Sequence, residues 1–371
     1  MAAPRKKLNS INPLMYITAP KISVLMSVYN GSQYLCESIE SVLNQTFADF
    51  ELIIVDDCST DDSEAILKKF SAQDSRITLL RNEENIGLTK SLNKGLKIAQ
   101  GEYIARQDAD DISLPTRFEK QVAYLDHSKD TVLVSGNYSY IDAKGAFIKS
   151  LDLSDRADVT SWYLLFYNRI GAHGLAMFRR KEAVSLGGYL ETFRYSQDYE
   201  FWHRLSKVGK LRILPEILQL YRRSHSESIS VKAKPEQEAL SVRASQSAIE
   251  DLTARKLSAA EIGDLKHFWL GSFSEIESVS KVNSNLSLIF SSFVAAHGRP
   301  TDTDLSTEVR DLIITQFEAW VKHLGFRRSF VKRLAVSYTA FFWAPWRTAR
   351  QWQRDIFSRT FEKLQGGASA I

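Results

Sequence analysis

Gln100-Gly101-Glu102-Tyr103-Ile104-Ala105-Arg106-Gln107-Asp108-Ala109-Asp110-Asp111 is the stretch around which the chain is organised. The apolar pair Tyr103-Ile104 runs straight into carboxylates, so the spacing predicts a strand that delivers Asp108, Asp110 and Asp111 to one lip of a sheet. Carboxylates so close repel one another unless a cation joins them. Oxygen-only donors suit a hard divalent ion, and Mg²⁺ or Mn²⁺ held by one or two carboxylates keeps positions open for substrate phosphates. The stretch therefore reads as a metal–diphosphate site. It reads equally as an acidic turn before a helix, with Asp111 or Ser113 as N-cap, and D-x-D alone does not choose between the two.

Upstream, Ile22-Ser23-Val24-Leu25-Met26-Ser27-Val28 is the continuous apolar run expected of a buried parallel strand, ended by Tyr29-Asn30-Gly31. Tyr34, Leu35, Ile39, Val42 and Leu43 then recur at helical spacing. Phe50-Glu51-Leu52-Ile53-Ile54-Val55 is a second strand that stops at Asp56-Asp57, and Ser59 to Asp62 supply cap residues for a helix over 63–70. A third strand over 77–80 and a helix carrying Leu88, Leu92, Leu96 and Ala99 lead back to Gly101. This alternation predicts an α/β fold with a doubly wound, mostly parallel sheet, in which ligands bind beyond the carboxyl ends of the strands. Tyr29, Asp57 and Asp110 all stand at such ends and are expected to converge.

Downstream, the pattern predicts a helix around Phe118, Val122 and Leu125, a strand over 132–136, a hairpin over 138–142 and 146–148, a helix over 159–167 and a strand over 174–178. Ser196-Gln197-Asp198 is expected to cap a helix over 199–208. Beyond Ser230 only helical patterns are visible. The expected organisation is an extension over 1–20, an α/β domain over 21–230 and a helical region over 231–371.

The 371 residues exceed one ordinary domain, and 44% hydrophobic with 25% charged residues is a globular composition. Cys36 and Cys58 are the only cysteines, which suits free thiols in a reducing compartment. Early charges at Arg5, Lys6 and Lys7 with no apolar run behind them do not make a signal peptide, and no window is apolar enough to span a bilayer. A cytoplasmic protein is expected. Residues 321–365 hold ten basic residues against two acidic ones, so the net charge of +4 is concentrated there. Within that segment Phe342, Trp346, Trp352, Ile356 and Leu364 fall on one helical side with arginines at its edges, an arrangement that suits peripheral contact with an anionic membrane. A basic helix packed on its own domain is the alternative. Nucleic acid is not an expected partner, since the rest of the chain is acidic and carries no recognition motif.

Ser27-Val28-Tyr29-Asn30, Gln45-Thr46-Phe47, Val55-Asp56-Asp57-Cys58-Ser59-Thr60-Asp61, Asn85-Ile86-Gly87-Leu88, the Gly101–Asp111 stretch and Gln197-Asp198-Tyr199-Glu200-Phe201-Trp202 occur in this order. Together they resemble the family-2 glycosyltransferases of the GT-A fold over about residues 21–230. The resemblance implies a nucleotide-diphosphate sugar donor, most often a UDP-sugar, inversion at the anomeric carbon, and a glycan or lipid-linked glycan acceptor. Carried over, Ser27 and Tyr29 match the loop that holds the base, and Asp57 the carboxylate that accepts from the pyrimidine ring N–H. Asp108 matches the position near the ribose and bound water, Asp110 the direct ligand of Mn²⁺ or Mg²⁺, and Asp198 the catalytic base.

His225 is a candidate for metal or diphosphate contact, because imidazole serves either. Plain readings remain beside these: an N-cap for Asp198, an Asx-turn for Asp57, core for Tyr29, a surface position for His225. His173, before a predicted strand, is not expected to contact the acceptor. The family often has Pro or Ser where Gly174 stands, which leaves that backbone open. The Q-x-x-R-W element of processive members is absent, which predicts one sugar per encounter. Two competitors stand: a catalytically silent nucleotide-sugar sensor or membrane scaffold, and a sugar-phosphate nucleotidyltransferase. The second would need a Gly-rich basic loop where Tyr29-Asn30-Gly31-Ser32 stands.

Overall fold

The computed structural model describes residues 19–153, 157–223, 233–297 and 303–323, together with Val336, Thr339 and Trp343. Strands β1 (Ile22–Val28), β2 (Phe50–Asp56), β3 (Ile77–Arg81) and β4 (Tyr103–Asp108) alternate with helices α1 (Ser32–Leu43), α2 (Ser63–Gln73) and α3 (Leu88–Ile98). These four strands are mutually parallel in the order β3-β2-β1-β4. Period-two alternation divides the side chains between two layers. Ile22, Val24, Met26 and Val28 pack toward Leu35, Ile39 and Val42 of α1 and Leu67 of α2. Leu25 and Ile53 face the opposite way, onto Leu92 and Leu96 of α3. With both faces covered, the strands read as near-continuous apolar runs.

The sheet continues through β8 (Met177–Arg179), β6 (Thr131–Ile141), β9 (Lys210–Arg222) and the two-residue β5 (Ile112–Ser113), with β7 (Phe147–Leu151) paired to β6. Here β8 is antiparallel to both β4 and β6, whereas β9 runs parallel to β6. The sheet is thus mixed and mostly parallel, as expected. Helices α4 (Arg117–His127), α5 (Ala157–Leu164), α6 (Arg180–Ser185) and α7 (Gln197–Ser206) complete this part.

Several expectations are corrected. The strand expected over 132–136 and the first hairpin arm are one long strand, β6. The segment expected as a strand over 174–178 opens with a 3₁₀ turn, His173–Leu175, before β8. Helix α4 is preceded by Thr116, so neither Asp111 nor Ser113 caps it. Strand β9 had no counterpart in the sequence reading.

From Lys234 onward the described residues form helices α8 (Lys234–Thr253), α9 (Ala259–Leu270), α10 (Val279–His297) and α11 (Thr303–His323). Their core of Leu265, Phe268, Ile289, Phe317 and Trp320 also takes in Trp162 and Phe166, so α5 and its exit turn join the sheet to the helices. Helix α9 starts at a capping box in which Ser258 and Glu261 satisfy each other's amides. None of the described helices is long and apolar enough to cross a membrane. Most of the basic segment over 321–365 lies outside the described residues. Trp343 is within them: its indole N–H donates to Asn283 of α10 at 2.9 Å and its ring meets Phe290 edge-on.

Candidate active site

Register brings the strand ends level. Ser27 pairs with Asp108 across β1 and β4, and Val28 pairs with Asp56 across β1 and β2. The residues that follow, Tyr29, Asp57 and Asp110, therefore leave one edge at successive steps of about 4.8 Å between neighbouring strands. Ser27 is half-buried on that edge, and Tyr29 is 52% exposed, which removes the core reading for it.

Asp57 is buried, and its carboxylate organises the loop after β3. Oδ1 accepts from Asn82 Nδ2 at 2.8 Å and the Ile86 amide at 2.9 Å, and Oδ2 accepts from the Gly87 amide at 2.8 Å. Gly87 has φ 88°, a left-handed backbone that glycine reaches without strain. Oδ2 keeps a lone pair for one further donor. Neighbouring Asp56 accepts from the Ser59 amide and faces Arg81 at 3.2 Å, a structural role beside the candidate base-binding residue.

The three carboxylates after β4 do not share one lip. Asp111 turns inward and is buried; its oxygens accept from the Arg222 amide at 2.9 Å and Gln219 Nε2 at 3.2 Å, tying the end of β9 to this loop. Burial and the charges of Asp110 and Asp108 push its carboxyl well above the usual range. Asp110 faces outward. Although solvent reaches it, the protein packed around it pushes its carboxyl up to about 6, with Asp108 acting the same way and its own amide and Arg222 opposing. Arg222 donates to the Asp110 carbonyl at 3.0 Å, pairs with Glu37 of α1 and stacks on Tyr34 with its guanidinium 4.3 Å from the ring centre.

Asp108 is oriented from behind. The fully buried Arg106 donates from Nη2 to Asp108 Oδ1 at 2.7 Å and from Nε to His173 Nε2 at 3.2 Å. An arginine only donates, so His173 presents Nε2 as an acceptor. Burial, then the Arg106 charge, holds His173 well below its usual range, which keeps the ring neutral. The same Nε2 lies 2.9 Å from the Tyr189 hydroxyl. Gly174 leaves the room Asp108 needs: a Cβ there would stand 2.8 Å from Asp108 Oδ2 and 2.9 Å from its backbone nitrogen. Glycine thus answers the question that position posed.

Asp198 lies in the first turn of α7, one residue inside a helix that begins at Gln197 after Ser196. It is therefore not the N-cap, and no side-chain cap is made there. Its Oδ2 accepts from Asn168 Nδ2 at 2.8 Å. Burial pushes Asp198 up to about 6 and the Asp108 charge adds to this, while the Tyr199 amide and Asn168 hold it down. The Asp108 charge acts on Asp198, so the two carboxylates lie within electrostatic reach of one another. Asp57 stands two strands along the same edge.

Backbone strain marks the same places. Among the described residues four non-glycine positions have positive φ, and three of them flank the candidates: Asn30 after Tyr29, Cys58 after Asp57, and Ser196 before Asp198. Strain of this kind persists where surrounding structure enforces it, typically at ligand sites.

The donor set fits a hard divalent ion in one particular way. Among the described residues no three His, Cys, Asp or Glu side chains gather as a ligand cluster. Protein would then supply one or two carboxylates, Asp110 foremost, with substrate phosphate and water completing the shell, as Mg²⁺ and Mn²⁺ accept. Asp110, repelled by Asp108, is the carboxylate that a cation would relieve. His225 lies outside the described residues.

Sequence reading missed Arg106, Asn168, Tyr189 and Arg222. Arg106 carried a signal, a charge inside a strand that opens apolar, two residues ahead of D-x-D; Asn168 carried none.

Comparison with known proteins accords with this geometry. The glycosyl transferase family 2 profile matches residues 23–186. An uncharacterized glycosyltransferase of Methanocaldococcus jannaschii is 38% identical over 206 residues, 55% of this chain and 71% of its own length. The O-antigen biosynthesis glycosyltransferase WbnJ of Escherichia coli is 35% identical over 57% of this chain and 83% of its own length. Among solved structures, S. aureus TarS 1–349 in complex with UDP-GlcNAc superposes with a TM-score of 0.52 at 16% identity, covering 81% of each chain, a likeness of fold. With relatives matched over most of their length and the motif residues gathered on one strand edge, the chain belongs to glycosyl transferase family 2.

Proposed function

We propose that this glycosyltransferase moves a sugar, with inversion, from a nucleotide-diphosphate sugar, in first place a UDP-sugar, to a hydroxyl of a glycan or lipid-linked glycan during surface polysaccharide or glycolipid assembly. The observation that carries the reading is the pairing of Asp198 with the D-x-D edge: a carboxylate with a pKa of about 6, set among donors that stabilise its ionised form, beside a second carboxylate site suited to diphosphate. A general base works best when its pKa lies near the working pH.

In the proposed step the Asp198 carboxylate takes the proton of the acceptor hydroxyl as that oxygen attacks the anomeric carbon from the face opposite the leaving group. The bond from that carbon to the diphosphate oxygen breaks, and its electron pair leaves with the nucleoside diphosphate. Ser27 and Tyr29 border the base, Asp57 offers its free lone pair to the ring N–H, and Asp108, held by Arg106, faces the ribose. A divalent cation at Asp110 would supply positive charge where the leaving oxygen becomes negative. No covalent enzyme intermediate is needed. WbnJ, named for O-antigen biosynthesis, and TarS, solved with UDP-GlcNAc, support the acceptor class and the donor class respectively. Peripheral contact of the basic segment over 321–365 with an anionic membrane belongs to the same proposal.

The test is a screen of nucleotide sugars by thermal shift with and without Mn²⁺, followed by transfer assays. A selectively stabilising donor that is turned over by the native chain and not by Asp198→Asn supports the reading; a donor bound but never turned over returns the silent-sensor alternative.

A further inference from the structure

Behind the catalytic helix runs a buried polar seam contributed by the helical region. Lys266 of α9 is buried, and its ammonium donates to the Phe166 carbonyl at 2.9 Å and to Ser241 Oγ of α8 at 2.8 Å, 5.3 Å from the centre of the Tyr199 ring. Ser245 Oγ of α8 donates to the Tyr199 hydroxyl at 2.8 Å and lies 3.4 Å from the same Phe166 carbonyl, and the Tyr199 hydroxyl donates to the Leu164 carbonyl at 2.8 Å. The seam therefore grips two short arms. One is the exit of α5, where Phe166 precedes Asn168 by two residues; the other is Tyr199, the residue after Asp198. Asn168 and Asp198 are the two partners of the hydrogen bond that holds the candidate base.

The ammonium is an expensive choice at this place. Its direct partners are a carbonyl and a hydroxyl, both neutral, and burial lowers its pKa to about 8 with only Glu238 acting the other way. A methionine would fill the volume without the desolvation cost. What lysine supplies and methionine does not is a short directed bond to the backbone that carries Asn168.

We propose that Lys266 is a positioning residue for the transfer reaction: through the Phe166 carbonyl it fixes the turn over 166–168 so that Asn168 keeps Asp198 ionised and in place. The helical region thereby becomes part of the catalytic apparatus. The inference rests on Asp198 being the base. The charged and titratable groups around the two ends are Asp108 and Tyr189 at Asp198, and Glu238, His203 and Tyr199 at Lys266, with Lys207 also acting on His203.

The experiment is the pH dependence of kcat/KM for the full chain, which reports ionisations of the free enzyme. The native acid limb is expected at about pH 6. Asn168→Ala should move it upward by about one unit, since a hydrogen bond to the ionised carboxylate is lost. Lys266→Met should move it in the same direction by less, with the donor KM unchanged and the melting temperature equal or higher, and Lys266→Arg should restore it. Combined with Asn168→Ala, Lys266→Met should add no further shift, because both act on one bond. Should Lys266→Met fail to fold, Ser245→Ala probes the same seam and should shift the limb likewise. A limb that stays in place in the seam variants, or shifts that add in the double variant, overturns the proposal. Activity retained by Asp198→Asn would instead remove the base assignment itself; an inactive Asp198→Asn with an unmoved limb in Lys266→Met removes only the positioning role.

Discussion

The two halves of the sheet are built differently. In the β3-β2-β1-β4 half β1, β2 and β3 are each followed by a helix, and the candidate residues Tyr29, Asp57 and Asp110 stand just beyond the ends of β1, β2 and β4. In the β8-β6-β9-β5 half the longest-range ties gather, although Asp57 in the first half is itself held from 25 to 30 positions away. Asp198 is held by Asn168, 30 positions away; Asp111 is satisfied by Arg222, 111 positions away; and Arg222 reaches Glu37 across 185 positions. The proposed donor side is thus specified by short motifs, and the proposed acceptor side by tertiary packing.

Substitutions that strike one half and spare the other sharpen this contrast. The largest effect is expected from Asp198→Asn, which should lower kcat by roughly 10²- to 10⁴-fold, the range of general-base catalysis, while the thermal shift caused by donor is retained. Loss of both together would mean that the halves are not separable. Asp57→Ala leaves three donors without their acceptor, and should cost about 3 kcal/mol in a denaturant titration and weaken donor binding.

Asp110→Ala should abolish the Mn²⁺-dependent part of the donor's stabilisation, about 2.7 kcal/mol at a hundredfold excess over Kd, with the ligand-free fold unharmed because a repelled carboxylate is gone. Gly174→Ala forces Asp108 to shift and should cost about 1–2 kcal/mol of stability together with donor affinity, since overpacking at a fixed backbone is not easily absorbed.

The last effect, of a size comparable to the preceding two, is a pH signature. The folded Asp198 titrates near 6 against 3.8 for the free side chain, so between those values the folded state holds the extra proton and the native chain loses stability as pH rises. Asp198→Asn escapes that loss. Its melting temperature should exceed that of the native chain above pH 6, with the gap closing as pH falls toward 3.8.

How much could be read beforehand follows the same division. The first four strands and their helices were legible because the strands are near-continuous apolar runs, the helices keep their apolar spacing and the strand ends carry the motifs. Strand β9 was not, for a visible reason: Pro215 breaks its pattern, and the pairing with β6 shifts register between Leu214 and Ile217, where the Pro215 carbonyl accepts from Asn137 instead of a strand partner. The role of Asp111 was likewise hidden, because nothing in Asp108-Ala109-Asp110-Asp111 tells which carboxylate turns inward until Gln219 and Arg222 arrive from β9. Asp198 was found through its motif, but the features that tune it, Asn168 and the Asp108 charge, exist only in the folded chain.

The claim on which the rest depends is that Asp57, Asp110 and Asp198 serve one ligand. A crystal structure with a bound UDP-sugar and Mn²⁺ measures this directly. The account predicts the uracil ring N–H on Asp57, the diphosphate and cation at Asp110, and the anomeric carbon turned toward Asp198. A nucleotide bound elsewhere, or a sugar whose reacting face points away from Asp198, would contradict it.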